Sequence, residues 1–180
     1  MSMAAIVLGT SAVIVVGFLG YVASQPSAFR IERSLDIQAD PQALFEKVNN
    51  LHEFNRWNPF ALADQTTKIE YQGPVAGVSS SYNWEGAKSG SGTMTVVESS
   101  SPTRIVMRLQ FQKPYVADNT ATFSFSRNGG ATRVTWAMTG RYGFLHKLFG
   151  TVFNMDKMVG GEFAKGLASL KKQTEPGRSV

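Results

Sequence analysis

A chain of 180 residues with no cysteine is long enough for one domain with a sizeable core, and it excludes disulfides and thiolate ligands. Hydrophobic residues at 43% and charged residues at 17% are the proportions of a folded protein. The formal charge is +5, but the basic residues are scattered and Lys171-Lys172 is their one adjacent pair; this argues against nucleic acid and fits a weak attraction to anionic membrane surfaces.

No acidic or basic side chain occurs before Arg30, and Met3 to Ala23 are all apolar, small or hydroxyl-bearing. A helix of that length rises about 30 Å, the thickness of a bilayer core. Tyr21 stands where an interfacial aromatic would anchor it, and Pro26 stops it. A cleaved signal peptide is a rival, with "VAS" at 22–24 as a passable cleavage site, and a buried soluble helix is another. A signal peptide would want a basic start and a shorter apolar core, so a transmembrane anchor over 1–26 is expected. Arg30 and Arg33 flank its C-terminal side, which places a single-pass protein with its folded domain on the cytoplasmic side.

The next stretch, "FRIERSLDIQ" (29–38), alternates Phe29, Ile31, Leu35 and Ile37 against Arg30, Glu32, Ser34 and Asp36, the pattern of a half-buried strand. Arg33 falls on the apolar face. It marks either a bulge or edge position, or a buried cation that needs a partner. Asp40 and Pro41 can open a helix whose apolar face is Leu44, Phe45 and Val48. Leu51, Phe54 and Trp57 continue into a second short helix that Pro59 ends.

From Thr67 to Tyr142 the chain reads as strands over about 67–72, 79–86, 90–99, 104–111, 117–127 and 131–142, separated by turn-forming segments such as "GAKSGSG" and "RNGGA". The spacing predicts an antiparallel meander. One face collects Ile105, Met107, Leu109 and Phe111, then Ala121, Phe123 and Phe125, then Val134, Trp136 and Met138. The other collects arginines, threonines and Ser124, so the sheet is wet on one side and covered on the other.

The cover is a helix predicted over about 144–172, with Leu148, Val152, Met155, Val159, Phe163, Leu167 and Leu170 as one stripe. Phe149 and Phe153 widen that stripe near its start. Gly160, Gly161 and Gly166 sit inside it, each at a cost of about 0.8–1 kcal/mol relative to alanine. They serve either close packing against the sheet or open volume beside it.

"VNNLHEFNRWNPF", "GVSSSYNWEGAKSGSGTMTVVESSSPTRI", "LQFQKPYVADNTATFSF", "RVTWAMTGRYGF" and "NMDKMVGGEFAKGLASLK" together resemble the START-like (SRPBCC) superfamily, within it the polyketide cyclase/dehydrase-like group that often carries an N-terminal membrane segment. Ser79 stands where many relatives have glycine. The resemblance implies an α+β helix-grip fold: a curved antiparallel sheet wrapped around a long C-terminal helix, with a cavity between them, here preceded by one transmembrane helix. The resemblance covers residues 29–172, and the expected domain runs over 27–175, with 176–180 as a flexible tail.

Acid–base chemistry needs titratable groups placed together. His52 and His146 read as surface residues, and neither a zinc-protease nor a serine-hydrolase motif occurs; no metal or cofactor is implied. Glu85, Arg33, Tyr115, Arg141 and Asp156 remain as polar candidates. Trp57, Trp84, Trp136, Met138, Met155 and Phe111 read as core or pocket wall, with Val159 on the helix stripe. The expected ligand set is therefore Trp57, Trp84, Glu85, Phe111, Tyr115, Trp136, Met138, Met155 and Val159, around a small hydrophobic or amphipathic molecule drawn from membrane lipid. The alternatives are a cyclase- or dehydratase-like enzyme, and a membrane interaction protein whose core is filled by its own side chains. No protein partner can be named.

Overall fold

A computed structural model describes residues 3–143, 147–148 and 154–175. Helix α1 (Met3–Ser24) is followed by strand β1 (Ala28–Ile37). Val13 to Val16, Phe18, Leu19 and Tyr21 on α1 are exposed, and Val22 is buried. Among the described residues no helix is long and apolar enough to cross a membrane, so the observed architecture has a helix at its N-terminus but no demonstrated span.

Asp40 caps α2 (Pro41–Asn49) by accepting from the Gln42 N–H at 2.9 Å, with Pro41 in the first turn. Asn50 caps α3 (Leu51–Asn55) in the same way. Pro59 does not simply end that helix. Asn58 accepts from the Phe60 N–H, and Pro59 opens a further short helix, α4 (Pro59–Leu62), because a first-turn proline forfeits no helical hydrogen bond.

Six strands follow: β2 (Lys68–Gln72), β3 (Ser81–Gly86), β4 (Gly90–Ser100), β5 (Arg104–Lys113), β6 (Ala117–Asn128) and β7 (Ala131–Arg141). They form one seven-stranded sheet in the order β1-β7-β6-β5-β4-β3-β2, antiparallel throughout. The meander is the expected one, and β1 extends it as an edge strand by pairing with the last strand, Arg33 opposite Trp136. Ser79, just before β3, has φ +71°, a left-handed conformation that glycine adopts without strain.

Closing helix α5 (Met155–Thr174) crosses the concave face. Its cap, Asn154, is extended and accepts from the Lys157 N–H at 2.9 Å. A helix starting there cannot carry the whole stripe read from Leu148, so the expected single helix over 144–172 is corrected to one beginning at Met155. His146, Phe149, Val152 and Phe153 lie outside the described residues. At the far end of α5, Glu175 accepts from the Gln38 N–H and Lys171 reaches the Asp36 carbonyl, tying the helix to the end of β1.

At that end the space under the sheet is filled. Ile37, Leu44, Val48, Ile105, Phe125, Val134, Leu167 and Leu170 form the core there, most of them without measurable exposure. Trp57 is also fully buried, its indole N–H donating to the Lys47 carbonyl at 3.1 Å, and its ring packs edge-on against Phe54 and Phe123.

The helix glycines divide by what lies over them. A Cβ on Gly166 would sit 2.8 Å from the Trp136 ring and 2.9 Å from Pro59, so that glycine permits close approach. A Cβ on Gly160 would sit 2.2 Å from the Arg33 guanidinium. Arg33 is half-buried on an edge strand, as the edge reading has it, and also has the partner a cation there needs: it passes over Gly160 and forks onto Asp156, with N–O distances of 2.8 and 3.1 Å and a further bond to the Asp156 carbonyl at 2.9 Å. Gly161 has nothing within 4 Å of the same position.

Candidate functional site

At the opposite end of the sheet the space is not filled. A cavity of about 610 Å³ lies between the concave face, α4 and the first turns of α5. The filled-core alternative therefore does not describe this end of the domain. The cavity exists because the inward positions here are spaced by small residues. A Cβ on Gly92 would lie 2.4 Å from Trp84, so the indole lies over a bare stretch of β4, its N–H directed to the Ser89 carbonyl at 3.3 Å. Trp84 meets Phe111 edge to face at 5.4 Å, and Ala117 and Ala121 leave the β6 side of the wall shallow.

Seven of the nine expected residues border this space: Trp84, Phe111, Tyr115, Trp136, Met138, Met155 and Val159. Two do not. Trp57 sits in the neighbouring core, and Glu85 is exposed on the outer face, opposite Lys68 and Ser91, because it follows the inward Trp84 on the same strand. Among the other polar candidates, Arg141 is an exposed wall residue at the end of β7, while Arg33 and Asp156 satisfy each other beside the cavity.

Of the exposed members of the wall, Lys88, Pro114, Tyr115, Val116 and Arg141 lie where β3, β5 and β7 end, and Phe60 and Ala63 lie on and just after α4. The cavity therefore opens along that end of the sheet, where the chain arrives from α1, and beside α4. Tyr142 stacks on Phe29 at 4.4 Å, and its N–H donates to the Ser27 carbonyl at 2.7 Å, which fixes the linker against the mouth.

Sequence reasoning missed several wall residues. Phe29, Phe60 and Tyr82 gave no signal beyond being apolar. Asn119 carried one: it occupies an inward position of β6, between Ala117 and Ala121. Asp64 was also missed. It is buried and accepts from the Thr66 hydroxyl at 2.6 Å, the Lys88 N–H at 3.1 Å and the Thr66 N–H at 3.0 Å. Those donors, the Thr66 hydroxyl foremost, hold its carboxyl down to about 2. It is ionised and fully engaged at neutral pH, a tie between the loop before β2 and the β3–β4 turn. Burial pushes the Tyr82 phenol well above its usual value, so it stays neutral.

His52 is outside the cavity, stacked on Tyr71 at 3.6 Å. Among the described residues no three histidine, cysteine, aspartate or glutamate side chains are grouped to hold a metal ion. What the arrangement can do chemically is enclose an apolar body and meet a small number of polar groups near the mouth.

The fold is widely shared. Ginseng major latex-like protein 151 from Panax ginseng superposes with a TM-score of 0.61 at 11% identity, over 83% of this chain and 99% of that one. A solution structure of a protein from Thermobifida fusca gives 0.60 at 16% identity, over 80% and 91%. The Aha1 dimer from Colwellia psychrerythraea gives 0.57 at 14%, over 84% and 99%. Among curated protein sequences none matches significantly. The family model described as "Polyketide cyclase / dehydrase and lipid transport" matches residues 28–175, and the chain belongs to that family.

Proposed function

We propose that the protein binds a lipid-like hydrophobic or amphipathic molecule in the cavity between sheet and α5, and that α1 holds the domain at a membrane. The observation that carries the first part is the cavity itself: about 610 Å³, walled mainly by aromatic and aliphatic side chains, within the range that encloses a small organic ligand. The family's description, which includes lipid transport, supports the same reading.

The membrane part rests on an uncharged N-terminal segment and on the exposed apolar side chains of α1, which find no cover within the domain. The mouth follows α1 in the chain. A helix lodged in a bilayer would bring it, with Lys88, Lys113 and Arg141, against anionic headgroups. Arg30 and Arg33 favour the cytoplasmic side for the domain.

The test is to purify the full chain from membranes and identify co-purifying molecules by native mass spectrometry and organic extraction. A bound amphiphile at about one per chain is the expected result; a chain that is empty, and stays empty when offered lipid, overturns the binding reading. Carbonate extraction and protease protection test the anchor and its sidedness separately.

A further inference from the structure

Most of the large apolar side chains exposed outside α1 fall into two groups. Val75, Val78 and Val97 lie toward the filled end of the sheet, around the loop that joins β2 to β3. Phe60, Tyr115 and Val116 border the opening of the cavity, with Leu62 on the same short helix as Phe60. Val116, 87% exposed, is the most exposed large apolar side chain among the described residues.

Scattered apolar residues on a surface need no explanation. What separates the two groups is charge. Toward the filled end the arginines are paired, Arg104 with Glu98, Arg127 with Asp40 and Arg133 with Asp36. Around the opening, Lys88, Lys113 and Arg141 are exposed and have no ion pair among the described residues. The acids there are engaged: Asp118 pairs with Arg108, Asp156 with Arg33, and Asp64 is buried among its donors. Glu85 stands opposite Lys68 on the outer face. Apolar tips set among unpaired cations suit an anionic bilayer, with the cations at the phosphates and the tips below them.

We infer that the rim of the mouth is a second membrane contact, in which Tyr115 and Val116 on one side and Phe60 and Leu62 on the other enter the acyl boundary of an anionic bilayer. The cavity then faces acyl chains, and a lipid-like ligand passes between bilayer and cavity without crossing water. The inference rests on the domain standing at a membrane and goes beyond it, since α1 would also hold a domain whose mouth stays in water.

The chain has no cysteine, so a single introduced one takes a fluorescent label uniquely. Val116→Cys, Ala63→Cys just after α4 and Val75→Cys at the filled end, each labelled with NBD, are placed as full chains in phosphatidylcholine nanodiscs with and without phosphatidylglycerol. A phosphatidylcholine with a nitroxide near the top of its acyl chain quenches whatever lies at that depth. Strong quenching and blue-shifted emission are expected at Val116 and Ala63, and neither at Val75. Phosphatidylglycerol should increase the quenching at Val116, and Lys88→Gln with Lys113→Gln should cancel the increase. If either rim label stays as aqueous as that at Val75, in chains that have entered the nanodiscs, the rim contact is overturned and the anchor stands. Equal quenching at all three positions overturns it too, because no one face then meets the bilayer. An increase that is absent, or that survives the double variant, overturns the role of the cations. Chains that do not enter the nanodiscs overturn the anchor and the rim together.

Discussion

Replacing the three glycines of α5 by alanine, one at a time, should give three different results. In a helix interior alanine gains about 0.8–1 kcal/mol over glycine from backbone entropy alone. At Gly161 the added methyl meets nothing within 4 Å, so the whole gain should appear as stability. For a chain of this size that is a rise in Tm of about 2–4 °C. At Gly166 the methyl meets the Trp136 ring at 2.8 Å and Pro59 at 2.9 Å. Neither can retreat easily: Trp136 is stacked on Phe163 at 4.3 Å, and Pro59 opens α4. Overpacking of this kind costs about 1–3 kcal/mol, which outweighs the helix gain and leaves a net loss of up to about 2 kcal/mol. At Gly160 the obstacle is the end of a flexible side chain, the Arg33 guanidinium, which can move at the expense of its fork onto Asp156. That variant should fall between the other two. The assay is urea unfolding of the full chain followed by tryptophan fluorescence, with thermal scans beside it. Equal effects at all three positions, or a loss at Gly161 as large as at Gly166, would refute the account of why these glycines are there.

Ser79→Gly should stabilise the domain by up to about 1 kcal/mol, since it removes a left-handed serine costing about 1–2 kcal/mol and concedes part of that to glycine's greater unfolded freedom; the urea midpoint measures it. Asp64 contributes stability through a carboxyl held at about 2 instead of its ordinary 3.8. A depressed carboxyl gives its full contribution above the unfolded value and loses it as pH falls through the folded one, so the natural protein should weaken between about pH 4 and pH 2. Asp64→Asn should be less stable at neutral pH and show a flatter profile across that window, read from urea midpoints at each pH. Val159→Phe should fill part of the cavity from the helix side. Ligand carried through purification should fall while the Tm of ligand-free protein holds or rises; unchanged ligand content would place the ligand elsewhere.

The strands were legible because side chains on a strand alternate with a period of two, and a sheet covered on one side turns that period into a visible apolar stripe. Ile105, Met107, Leu109 and Phe111 announce both a strand and the side on which the cover must lie. The partner of β1 was not legible in the same way, since Arg33 interrupts its stripe and its ladder runs to a strand about a hundred residues later. Arg33 becomes intelligible only with Gly160 and Asp156 in place, two positions on an element far along the chain.

The cavity wall shows where reading residues one at a time stops. Trp57 and Trp84 are alike in the sequence, yet one is enclosed by Phe54 and Phe123 and the other lies over the bare Gly92 beside open space. Whether an apolar side chain meets protein or a void depends on the volumes opposite it, which are set by several strands at once. A polar residue at an inward position is different, because alternation alone places it. Asn119 could have been found by counting along β6 from Phe123. The glycines of α5 follow the same logic in reverse. Each reports the shape of whatever lies across from it, a ring, a guanidinium or open space, and so they record the closing of the helix onto the sheet more faithfully than the stripe of leucines that drives it.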